Sequence, residues 1–91
     1  MRGPRTYQYQ SRFRDGINCL WRCQKLYRED RDRGNEARVL ADLGDFYTYV
    51  SEFDQARRMF RLSLERYEDR GHSVAESVRA KLDDLAAPPR R

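Results

Sequence analysis

A short pattern occurs twice in this chain at a shift of forty residues: Tyr7-x-Tyr9-x-Ser11-x-Phe13 returns as Tyr47-x-Tyr49-x-Ser51-x-Phe53. The register persists downstream, where Gly16 aligns with Ala56, Leu20 with Phe60 and Cys23 with Ser63. Each of these pairs keeps its size class. Recurrence at one period restricts a chain to architectures that stack copies of a single supersecondary unit.

The unit reads as helical. Phe13, Gly16, Leu20, Cys23 and Tyr27 recur at three- and four-residue steps, as do Phe53, Ala56, Phe60, Ser63 and Tyr67. Ala37, Leu40, Leu43, Gly44 and Tyr47 form a third stripe of the same kind. Such spacing lines one face of an amphipathic helix. Ser51, with Asp54 three residues on, reads as an N-cap with an acid in the first turn. Asp32-Arg33-Gly34-Asn35 and Asp69-Arg70-Gly71-His72 read as breaks. Ser73 then caps a last helix through Val74, Val78, Leu82 and Leu85, which Pro88-Pro89 ends. The expectation is an all-α fold of about four helices, at 13–32, 36–50, 53–69 and 73–86, with an incomplete helical turn before Phe13. Residues 1–12 form a basic N-terminal segment, 13–86 the helical domain and 87–91 a Pro/Arg tail. No alternating strand pattern competes.

Residues 37–64 resemble a tetratricopeptide repeat (TPR). Leu40 takes the place of that family's tryptophan, Leu43-Gly44 is its Leu-Gly pair, and Tyr47 is its tyrosine. Ala56 and Phe60 follow at the family spacing, and Ser63 holds a further small-residue position. The family's terminal proline is missing, and the period is 40 rather than 34. The resemblance implies helix–turn–helix repeats forming a short α-α superhelix segment, with one complete repeat at about 37–69. It also implies that a peptide or partner helix lies along the concave face built by the first helix of each unit. On this chain that face presents Arg38, Ala41, Asp45, Thr48 and Tyr49, with Asp42 on its flank. Ala41 and Asp45 stand where the carboxylate-clamping variant of the family has lysine and asparagine. A basic or mixed peptide is therefore the expected ligand.

An incomplete array leaves apolar surface uncovered. Ile17 and Trp21 lie four residues apart, to one side of the first stripe, with only Thr6 to Gln10 available to cover them. The expectation is that this flank is buried by self-association with a second copy, or by docking to the rest of a larger protein.

Charge is informative once divided along the chain. The net charge is +4, but Arg2, Arg5, Arg12 and Arg14, with no acid among them, account for four positive charges over residues 1–14. Arg90 and Arg91 account for two more, leaving residues 15–89 at −2. Basic ends permit contact with nucleic acid, although a solubilising fringe explains them more simply. No segment approaches the ~20 apolar residues of a membrane span. Met1-Arg2-Gly3-Pro4-Arg5 lacks the apolar run of a secretory signal, so a cytoplasmic location is expected.

Groups that could carry chemistry are sparse. Cys19 and Cys23 sit four apart without the three or four ligands a metal site requires, and no Cys-x-x-Cys pair occurs. Cys23 is expected to pack as a small buried residue. Asp69, His72 and Ser73 are too close in sequence for the separated geometry of a hydrolase triad. No two glycines lie within three residues of each other, which excludes a Gly-rich phosphate loop. Neither metal nor cofactor is expected. The function read from the sequence is a non-enzymatic protein–protein interaction module: an adaptor, scaffold or regulatory segment. The alternatives are nucleic-acid association through the Arg-rich termini and a self-assembling repeat unit.

Overall fold

The computed structural model describes the backbone of residues 3–67 and 73–86, and the side chains of 11–67 and 75–85. It holds four helices: α1 (Gly3–Glu29), α2 (Arg33–Tyr49), α3 (Phe53–Tyr67) and α4 (Ser73–Ala86). No strand occurs among the described residues. Each helix packs on its neighbours in the chain, with α2 on α3 the most extensive contact. The result is a flat body of 49 × 36 × 18 Å.

α1 is a single helix of 27 residues and has no break before Phe13, contrary to the expected incomplete turn. The two copies of the repeated pattern therefore differ in conformation. Tyr47 to Phe53 spans the end of α2, a turn and the start of α3, whereas Tyr7 to Phe13 lies within α1. Flanking charge accounts for the difference. Glu52 and Asp54 suit the positive end of α3, but their counterparts Arg12 and Arg14 have the wrong sign for a helix start.

Both described turns close in the same way. At the end of α1, Asp32 N donates to Tyr27 O at 2.9 Å and Arg31 N to Arg28 O at 3.0 Å, with Arg31 at φ 60°. At the end of α2, Glu52 N donates to Tyr47 O at 2.8 Å and Ser51 N to Thr48 O at 3.0 Å, with Ser51 at φ 63°. This is the Schellman arrangement, which satisfies the last carbonyls of a helix through one left-handed residue. Ser51 is thus the left-handed terminator of α2 and does not cap α3. Gly34, expected within a break, lies inside the first turn of α2, which Asp32 caps by accepting from Asn35 N at 3.3 Å.

The core joins Ile17 of α1, Val39, Leu40, Leu43 and Tyr47 of α2, Ala56, Met59 and Phe60 of α3, and Val78 of α4. Ala37 meets Tyr67 and Ala75 in a smaller cluster. Ser63 is buried and donates through Oγ to Ala37 O at 2.7 Å, pinning α3 to α2. Small residues at Gly44, Ala56 and Ser63 allow these helices to approach closely.

Two expectations about α1 are corrected. Cys23, like Cys19, is exposed, while Gln24 is buried. The inward stripe runs through half-buried Phe13, Leu20 and Tyr27 and buried Ile17 and Gln24, so Gln24 holds the inward place expected of Cys23. Ile17 is only 4% exposed and belongs to the chain's own core, so no second copy is required to cover it. Trp21 remains 37% exposed, and its Nε1 donates to Tyr47 Oη at 3.0 Å.

Candidate partner-binding groove

Along the exposed side of α2, residues at helical spacing present Arg38, Asp42, Asp45, Thr48 and Tyr49. The structure gathers three of them. Asp45, Thr48 and Tyr49 line a concavity of about 240 Å³, together with Phe60 of α3 and Lys81, Asp84 and Leu85 of α4. Arg38 and Asp42 lie one to two turns earlier on the same helix and outside that concavity. Ala41, read as part of the exposed face, is buried.

The two walls are held together across the opening. Lys81 Nζ lies 3.1 Å from both Asp45 Oδ1 and Asp45 Oδ2. An exposed pair of this kind contributes at most about 1 kcal/mol, and it bridges α2 and α4 across the opening. Arg57 of α3 donates through Nη1 to Leu85 O at 3.2 Å and also pairs with Asp54, fixing the last turn of α4 against α3. Thr48 Oγ1 donates to Gly44 O at 2.8 Å within its own helix. Tyr49 is 66% exposed, yet its ring stacks on Phe13 of α1 at 5.0 Å between centroids. Phe13 also meets Phe46 edge-on at 5.5 Å. These contacts hold Tyr49 at the mouth of the concavity.

Charge in this region is predominantly negative. The carboxyl of Asp42 is pushed above the usual carboxylate range, first by partial desolvation and then by the neighbouring Asp45 carboxylate, while Arg38 and Lys81 pull it back. Lys81 is committed to Asp45, which leaves Asp84 and Asp42 as charges without an ion pair among the described residues.

No protein-family model, curated protein or solved structure matches this chain.

Of the other groups singled out in the sequence, Asp69 and His72 lie outside the described residues, as do the side chain of Ser73, the side chains of Thr6 to Gln10 and those of Arg2, Arg5, Arg90 and Arg91, whereas Arg12 is described and exposed and Arg14 pairs with Glu52. Among the described residues no three His, Cys, Asp or Glu side chains come together as a metal site. No described helix is long and apolar enough to cross a membrane. Sequence reading missed the α4 wall altogether. Lys81, Asp84 and Leu85 carried a partial signal: they fall at three- and four-residue steps, but nothing local aims them at α2.

Proposed function

We propose that this chain is a non-enzymatic interaction module of the tetratricopeptide type, and that a basic peptide or helix docks between α2 and α4. The observation that carries this reading is the concavity that joins Asp45, Thr48 and Tyr49 to Lys81, Asp84 and Leu85 over Phe60. It combines an apolar floor, an aromatic ring at its mouth and carboxylates on its rim. Such a site takes a ligand with one apolar anchor flanked by Arg or Lys.

Peptide selection from a random displayed library tests this reading directly. Ligands of the unmodified protein are expected to be enriched in Arg and Lys around one apolar residue. The Asp45→Lys/Asp84→Lys variant is expected to select acidic ligands instead, and Tyr49→Ala to weaken the original ones at least ten-fold. An identical ligand set from both proteins would remove the groove from consideration.

Self-association is the second reading, favoured by two exposed apolar residues of α1: Trp21 on the flank that meets Tyr47, and Leu26, 60% exposed, on its outer side. Sedimentation at a series of dilutions separates the two readings. A concentration-dependent dimer abolished by Trp21→Glu/Leu26→Glu would favour assembly over peptide capture.

A further inference from the structure

At the other end of α2, about 18 Å from Asp45 at 1.5 Å per helical residue, the surface changes sign. A concavity of about 450 Å³ at the α1–α2 turn is lined by Arg28, Arg31, Arg33 and Arg66, with Glu36 as its one acid. Arg28 comes from the last turn of α1, Arg31 from the turn itself, Arg33 and Glu36 from the first turn of α2 and Arg66 from the end of α3.

Glu36 is already neutralised. It is buried, accepts from Gln24 Nε2 at 2.8 Å and lies 3.1 Å from Arg66 Nε. Arg66 is also 3.8 Å from Glu65. The guanidinium groups of Arg28, Arg31 and Arg33 make no ion pair among the described residues, although Glu29, Asp30 and Asp32 are their neighbours in sequence. Asp32 is occupied with Asn35, whose Nδ2 donates to Asp32 Oδ2 at 2.9 Å. Three cations that make no ion pair among the described residues thus line one concavity.

Two of them stand where local stability alone would place other residues. Arg31 occupies the left-handed position of the turn at φ 60°, where glycine is the residue of least strain. Arg33 opens α2, where the helix dipole disfavours a cation. Positions at which a sequence departs from local rules without a compensating contact are where function is expected.

We propose that this concavity binds a phosphate monoester, the dianion borne by a phosphorylated side chain or a small phosphorylated molecule. Guanidinium forks match phosphate oxygens in bidentate geometry, and a phosphate monoester carries about −1.5 to −2 at pH 7, which the charges of Arg28, Arg31 and Arg33 can balance. An extended polyanion fits less well, because residues 15–89 carry a net −2 and the cluster is a local exception. The site is independent of the groove between α2 and α4.

Titration calorimetry of the full chain at fixed ionic strength tests the proposal. The probes are inorganic phosphate, glycerol 3-phosphate, and a phosphoserine peptide beside its unphosphorylated form. Saturable binding of the phosphorylated probes is expected, with none for chloride or the unphosphorylated peptide. A phosphopeptide that binds more tightly than glycerol phosphate assigns the ligand to a protein, and the reverse assigns it to a small molecule. Arg31→Gln/Arg33→Gln is expected to weaken binding at least ten-fold, whereas Arg12→Gln/Arg79→Gln, which removes the same charge elsewhere, leaves it within two-fold. Arginine Nε–Hε resonances of the unmodified protein provide a readout free of folding effects, with shifts expected at Arg28, Arg31 and Arg33. The proposal is overturned by equal losses in the two double variants, by no binding above chloride, or by a single-stranded RNA that outcompetes every phosphorylated probe.

Discussion

The backbone of Gly44 lies so close to the ring of Phe60 that a Cβ there would stand 2.5 Å from Cε1. Phe60 is almost fully buried in the core, so a displaced ring must disturb the α2–α3 packing around it. Gly44→Ala is therefore expected to destabilise the fold by roughly 1–3 kcal/mol, the usual cost of overpacking. A Cβ on Gly16 would meet Cε2 of Phe46 at 2.4 Å, but Phe46 is only half-buried and its ring can swing outward. Gly16→Ala should cost clearly less. Urea unfolding of the two variants checks the ranking, and equal costs would contradict the tight α2–α3 contact.

Backbone conformation leads to two stabilising changes. Gly34 lies within the first turn of α2, and nothing stands within 4 Å of a Cβ added to it. Gly34→Ala is expected to stabilise by about 0.5–1 kcal/mol, because alanine has less freedom to lose on folding. Ser51, at φ 63°, sits where glycine is unstrained, and Ser51→Gly should gain up to about 1 kcal/mol. The two sites share no partner, so their effects should add in thermal unfolding. Destabilisation by Ser51→Gly would show that this turn is not left-handed.

Glu36 links three helices by bonding to Gln24 of α1 and Arg66 of α3 from its own place on α2. Glu36→Ala would leave the buried Gln24 amide and the half-buried Arg66 without this carboxylate. A loss of about 2–4 kcal/mol is expected. The double change Glu36→Leu/Gln24→Leu removes donor and acceptor together and should recover part of the loss. Chemical denaturation of both variants decides whether the network or simple side-chain volume matters here.

Asp42 sets a pH dependence of known sign. Its carboxyl is raised above 3.8 by partial desolvation and by Asp45, so the folded chain holds that proton more tightly than the unfolded chain does. Its ionisation is then a cost, present in full above the raised value and relieved as pH falls through that value toward 3.8. Asp42→Asn should be more stable than the unmodified chain at pH 7, by less than about 1 kcal/mol after solvent screening. That advantage should shrink with acidification and level off below 3.8. An advantage constant from pH 7 to 3 would assign the effect to something other than this carboxylate.

Residue spacing by itself determined the helical class, the number of helices and the contacts between small and large residues. Gly44, Ala56, Phe60 and Ser63 could be placed from intervals of three and four because helical period is a local property of the chain. Tertiary structure decided which polar groups turn inward. Gln24 interrupts the apolar stripe of α1, so Cys23 was read in its place. Gln24 is buried because Glu36, twelve residues away, meets it together with Arg66 from a third helix. The unbroken α1, the use of Arg31 and Ser51 as left-handed terminators, and the α4 wall opposite Asp45 belong to the same class. Each depends on a charge, a carbonyl or a surface supplied by another turn or another helix, and periodicity along one helix carries no record of what stands across from it.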